Sequence, residues 1–303
     1  MKKFLVVLAA LASIAVAGCS KPQTAWITDI DAAIKESDKA GKPLLVVFTG
    51  SDWSDESRRL IDNVFNADFF KRGTKGFVMC NLDIIQDEAS VDPAVLERNY
   101  KAVSEYGVQA MPAVVLVTRK GDIYGSANLD ETIVDAETFF TLAEGFGEKG
   151  KTLLGLRAAI DKSKGVERAK SIDLFIDALV PSQRERYADL MREVIDIDAD
   201  GSAGLKGKFV LQTTYLDAIN LYQQGKLTDA GDSFFRIAKG DFLTAAQKQE
   251  AWYMGAYMYA MSESVDNELV ISWLEEAIAA DPENEGTGQI RATIEQIKTA
   301  PKK

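Results

Sequence analysis

Apolar residues along this chain follow one rhythm up to about residue 150 and another beyond it. A first apolar run, Phe4 to Val16, follows the cationic pair Lys2 and Lys3. From Trp26 to Lys151 helical and extended patterns alternate. Ile27, Ile30 and Ile34 recur at helical spacing over 27–40, and Gly41-Lys42-Pro43 stops that helix. Leu44 to Phe48 is continuously apolar, as a strand buried on both faces must be, and 77–82 repeats the pattern. Helices are predicted from Ser54 through Phe65, over 93–106 and over 136–146. A hairpin of 113–117 and 122–124 turns at Arg119-Lys120-Gly121. From about Leu153 the strand signal disappears. Breakers at Gly165, Pro181, 200–207, Gly225, Gly240 and Asp281-Pro282 leave helical segments near 152–163, 166–180, 182–197, 208–224, 226–239, 244–262, 267–280 and 287–299. Tight turns between short helices make a bundle or an α-solenoid.

Composition narrows the chemistry. The formal charge is −11 and both halves are acidic, so neither offers the basic footprint that nucleic acid demands. The chain holds no histidine, which removes Ser-His-Asp and Cys-His nucleophile pairs and every His-ligated metal site. Its two cysteines are Cys19 and Cys80. Cys80 lies mid-strand between apolar neighbours and reads as a buried, inert thiol.

The run Phe4 to Val16 is too short to anchor a span but suits the core of an export signal. Val16-Ala17-Gly18-Cys19 resembles a lipobox, the cleavage and acylation site of bacterial lipoproteins. The resemblance implies a signal peptide over 1–18, acylation of Cys19 and a tether over 19–25. Ser20, where retention signals carry Asp, favours the outer membrane. Membrane lipid is then the first expected partner, and several acyl chains hold firmly where one does not.

Lys42 to Trp53, Tyr106 to Pro112 and Lys120 to Asp122 are three stretches that together resemble the bacterial thioredoxin-like family. Lys42 to Trp53 looks like the strand and loop leading to the active site. Tyr106-Gly107-Val108-Gln109-Ala110-Met111-Pro112 looks like the segment ending in the fold's cis-proline, and Lys120-Gly121-Asp122 matches its tight hairpin. Over 26–150 the resemblance implies an α/β thioredoxin-like domain with Pro112 as the cis-proline. Where the family carries Cys-x-x-Cys, this chain has Ser54-Asp55-Glu56-Ser57. A hydroxyl cannot form a disulfide, so no monothiol version of the chemistry survives either. Ser54 suits an N-cap, and Asp55 and Glu56 suit a first turn; these are degenerate redox-motif positions, with no catalytic residue and no cofactor implied.

Over 151–303 an internal echo favours an all-α, tetratricopeptide-like repeat. Leu190 to Asp198 aligns with Trp273 to Asp281, and Phe234 to Asp241 lies between them. Glu276-Ala277-Ile278-Ala279-Ala280-Asp281-Pro282 resembles the end of such a repeat, and Ala251 to Ala260 its packed first helix. Asp196, Asp198, Asp200 and Gly201 look like the opening of a calcium loop, but its twelfth position is Gly207 rather than Glu, so a polar connection is the preferred reading and no metal is expected. Met254, Met258 and Met261 fall on one helical stripe, read as core, with neighbouring aromatics open to a peptide.

Together these features point to a membrane-anchored, redox-inactive binding or scaffolding module facing the periplasm, with a protein or peptide partner. The rival reading is a thiol-disulfide oxidoreductase, or an accessory to one, whose cysteines come from another chain.

Overall fold

The computed structural model describes residues 26–262 and 266–299; the signal peptide, Cys19 and the tether to residue 25 lie outside the described residues. The first helix, α1, spans Ile30–Ala40 and not 27–40, because the Asp29 carboxylate caps it by accepting from Ala32 N at 2.9 Å. Ile27 instead forms a parallel bridge beside Cys80, donating to Met79 O and accepting from Asn81 N at 2.9 Å each. Then follow β1 (Leu44–Thr49), α2 (Asp55–Asn63), α3 (Ala67–Gly76), β2 (Val78–Asp83), α4 (Pro93–Tyr106), β3 (Ala113–Val117), β4 (Ile123–Asn128) and α5 (Ala136–Glu144). Helix α3 was not anticipated. Its cap is Asn66, whose side-chain oxygen accepts from Asp68 N and Phe69 N, and only Phe69 and Gly73 are fully buried, too few to show a period.

The sheet order is β2-β1-β3-β4, with β1 parallel to β2 and antiparallel to β3, and β3 antiparallel to β4. Alternation along the strands sorts the apolar residues into two layers. Leu44, Val46, Phe48, Cys80 and Leu82 face α1 and α4. Leu45, Val47, Met79, Val114 and Leu116 face α2, α3 and α5, where Phe69, Phe139 and Phe140 are fully buried in mutual ring contact at 5.0–5.3 Å. Each such phenylalanine contributes about 1.5–3 kcal/mol through burial.

The helical region is α6 (Gly147–Lys162), α7 (Gly165–Ala178), a 3-10 turn (181–187), α8 (Ala188–Ile197), α9 (Lys206–Gln223), α10 (Leu227–Ala238), α11 (Ala245–Ser262), α12 (Asn267–Ala280) and α13 (Thr287–Thr299). Helix α6 runs unbroken through the 150/151 boundary read from the sequence. It lies so close to β4 that a Cβ at Gly150 would sit 3.1 Å from the Tyr124 ring. The core behind the sheet continues through Leu153, Ile172, Phe175 and Val194 to Phe209 on α9. Farther on, the helices form two smaller clusters, one of α9, α10 and α11 and one of α11, α12 and α13.

A buried ionic group pins the two regions together. Asp122, fully buried after the β3–β4 turn, accepts from Arg157 Nη2 (2.5 Å) and Tyr187 Oη (2.8 Å) on one oxygen and from Thr118 Oγ1 (3.1 Å) on the other. The Arg157 guanidinium also lies over the Phe175 and Tyr187 rings, at 4.8 and 5.4 Å.

Candidate functional site

Strand β1 delivers the chain to Gly50 at the C-terminal end of the sheet. A Cβ there would lie 2.2 Å from the Trp53 indole, so a larger residue would force that ring to move. Trp53 Nε1 donates to Ile84 O at 2.7 Å, which holds the indole across the site with 39% of its surface exposed.

Ser54 is the N-cap of α2. Its Oγ accepts from Ser57 N at 3.1 Å, while Ser57 Oγ accepts from Gly50 N at 3.0 Å. Both serines are buried, Ser57 completely. Both hydroxyl oxygens are therefore committed to orphan backbone N–H groups of the turn and the first helical turn. Asp55 and Glu56 occupy that first turn, exposed, and Asp55 pairs with Arg58.

Asp83 closes the site from β2 and was not singled out in the sequence. One oxygen accepts from Thr49 Oγ1 (2.8 Å) and Ser51 N (2.9 Å), the other from Ser51 Oγ (2.5 Å). Asp52 Oδ2 accepts from Gln86 N and Asp87 N at 2.9 Å, tying the 84–92 loop to the turn. The available signal was an acid ending an otherwise apolar strand. The Met111–Pro112 peptide is cis, and Pro112 directly precedes β3, whose Ala113 pairs with Phe48 beside the turn.

Cys80 is apart from this group. It faces the α1–α4 layer, whereas α2 packs on the opposite layer through Leu60. Burial pushes the thiol up to about 12, so it carries almost no thiolate near neutrality.

The acidic stretch after α8 is built as a loop cap. Asp196 is exposed at the end of α8. Asp198 is fully buried, and its carboxylate accepts from Ala203, Leu205 and Lys206 N at 2.6–2.7 Å. Burial opposes that charge, but the three amides outweigh it and hold the carboxyl below its ordinary range. Asp200 accepts from Ser202 N at 3.0 Å. Among the described residues, no group of three or more acids or cysteines is placed to hold a metal ion. The expected methionine stripe is only partly core: Met254 and Met258 pack inward, while Met261 is 41% exposed.

Residues 30–139 match the thioredoxin-like domain family, and residues 205–303 match a family described as an uncharacterised protein C-terminal domain. The chain is 29% identical over 289 residues to an uncharacterised protein of Treponema pallidum (strain Nichols), covering 95% of each. Over 96 residues it is 26% identical to the thioredoxin-related protein DsbJ of Chlamydia pneumoniae, which is 31% of this chain and 27% of that protein. A solved structure titled DsbH Oxidoreductase is similar at 19% identity and a TM-score of 0.37, covering 43% of this chain and 90% of that one. The N-terminal unit is thus a thioredoxin-like α/β domain with a mixed sheet, followed by an all-helical region. The second match begins one residue before α9, so α6, α7 and α8 lie between the two matches.

Proposed function

We propose that this chain is a membrane-anchored, redox-inactive thioredoxin-like lipoprotein that serves as a protein- or peptide-binding or scaffolding module at the periplasmic face of the envelope, preferentially the outer membrane. The observation that carries the reading is the fate of the two motif serines. Both are buried, and both spend their oxygens on backbone amides, so the positions that hold reactive sulfurs in the family serve here to shape a turn. The thiol in the described residues is buried across the sheet and held protonated. The surface around the old site is nonetheless kept: Trp53 is half open, and Gln109 and Ala110, just before the cis bond, are exposed. The helical region adds repeat-like pairs in which Asp198 and Asp281 each follow a helix, α8 and α12, in keeping with a tetratricopeptide-like array.

Likeness to DsbJ favours the rival reading, an accessory to thiol-disulfide exchange whose cysteines come from a partner. One assay separates the two. Purified protein should show no insulin reduction above blank, and a photocrosslinker at Gln109 should capture protein in intact envelopes. Turnover that disappears in Cys80→Ala would overturn the redox-inactive reading. Absence of any adduct from Gln109 would overturn the binding one.

A further inference from the structure

The strand directions give the thioredoxin-like domain two ends of opposite charge. Because β1 and β2 are parallel, the segments that precede them share one end. Lys42 lies just before β1 and Lys75 just before β2; Arg119 and Lys120 join them, because Val117 at the end of β3 pairs with Leu44. Lys71 is one turn back from Lys75 on the exposed side of α3. At the other end, Asp52, Asp55 and Glu56 follow β1, while Asp83, Asp87 and Glu88 close or follow β2. A six-residue strand separates these ends by roughly 17 Å.

Two acids at the basic end are already engaged by neighbouring cations. Asp38 pairs with Lys120 at 3.1 Å and Glu36 with Lys39 at 3.5 Å. Among the described residues, Lys71, Lys75 and Arg119 are in no ion pair.

The chain also enters the fold from this end. Ile27 lies parallel to β2 beside Cys80, so Trp26, the residue before it, lies toward the start of β2. Trp26 is wedged against Phe65, Phe69 and Phe70 at 5.4–5.7 Å, which fixes the entry point on the domain. Cys19 is seven residues earlier, and seven residues reach at most about 25 Å. An acylated Cys19 therefore keeps this entry point within about 25 Å of the bilayer.

We infer that the end bearing Lys71, Lys75 and Arg119 is a docking surface for anionic phospholipid headgroups, and that docking turns the Ser54–Pro112 end away from the membrane. This rests on the lipidated anchor proposed above. The charges decide the orientation. Each free cation at an anionic surface favours contact roughly fivefold. The acidic end, about 17 Å away, is two Debye lengths removed at physiological salt, so its repulsion is mostly screened. Inverting the domain would reverse both terms.

The test uses the full acylated chain in vesicles of phosphatidylcholine, with or without about 30% phosphatidylglycerol, and a headgroup-attached quencher. Fluorophores are placed through Gly76→Cys at the basic end or Glu56→Cys at the acidic end. The label at 76 should be quenched on anionic vesicles and the label at 56 should not. Lys71→Gln/Lys75→Gln/Arg119→Gln should lower the ratio of docked to undocked protein about a hundredfold, returning the signal to its value on neutral vesicles. Equal quenching at both positions, or quenching at 76 indifferent to phosphatidylglycerol, would overturn the docking surface. Mass spectrometry of Cys19 separates this from the anchor. An acylated chain indifferent to lipid charge keeps the anchor and sinks the docking. An unacylated chain that still binds phosphatidylglycerol vesicles through these three residues does the reverse.

Discussion

Replacing Arg157 with methionine should destabilise the whole N-terminal body, sheet and first helices together. In the native fold Asp122 has no exposed surface, and among the described residues Arg157 is its one ion-pair partner, at 2.5 Å. Methionine keeps much of the apolar stem against Phe175 but leaves a buried carboxylate with only the hydroxyls of Thr118 and Tyr187. Stranding one partner of a buried pair costs about 3–5 kcal/mol. For a body of this size each kcal/mol moves the midpoint by about 2–4 °C, so the melting temperature should fall by roughly 10 °C. Asp122→Asn/Arg157→Met removes the stranded charge and should recover a good part of that loss. The comparison is Lys170→Met, which breaks an ion pair whose side chains are 54% and 75% exposed and should shift the midpoint by no more than about 2 °C. Thermal melts followed by circular dichroism read all three. If Arg157→Met melts within about 2 °C of wild type, or the double variant is no more stable than the single one, Asp122 is not a buried charge that depends on Arg157.

The mature protein should partition into detergent, and Cys19→Ser should leave it soluble or unprocessed; wild-type protein wholly in the aqueous phase would refute the anchor. Ser54→Cys/Ser57→Cys should fold and form a disulfide in air, since the two positions are the N-cap and the third residue of α2. Its reductase activity should be poor, because Asp55 and Glu56 raise the first thiol's pKa, and should improve when both acids are removed; thiols that never pair would place the helix elsewhere. Cys80 should react with a thiol reagent only after unfolding. Burial raises its folded pKa from 9.0 to about 12, so its stabilising effect is complete below pH 9 and lost as pH climbs from 9 toward 12. A wild-type stability profile in that window no steeper than that of Cys80→Ala would count against a buried thiol.

Alternation and periodicity are legible wherever one element buries a full face. Leu44 to Phe48 announced β1 because both sides of that strand are covered, and α4 is found at 93–106 as expected because Pro93 and Gly107 mark its two ends. Helix α3 was invisible for the opposite reason: two buried residues among ten give no period. The start of α1 was misread because Ile27 keeps helical spacing while its backbone bonds to β2, a long-range pairing no local window contains.

The core behind the sheet extends past the point where the rhythm of the sequence changes. A change of rhythm near residue 150 marks where strands end, not where a core ends. The core behind the sheet needs Leu153, Ile172, Phe175 and Phe209 to close it, and an acid in the hairpin needs Arg157 and Tyr187 from the helices beyond. Asp122 looked like a turn residue because Lys120-Gly121-Asp122 is good turn chemistry. Its burial depends on partners 35 and 65 positions away. The motif serines show the same limit from the other side. Ser54 could be read as a cap from its place before a helix, since capping is local. That Ser57 takes the Gly50 amide, and that Trp53 crosses the turn to Ile84, follow from how β1, α2 and β2 converge at one end of the sheet. Once those contacts are in place, putting sulfur at 54 and 57 must displace two amide acceptors as well as add a disulfide. Any change at 54 or 57 is therefore coupled to the turn, because each serine oxygen holds one of its backbone amides.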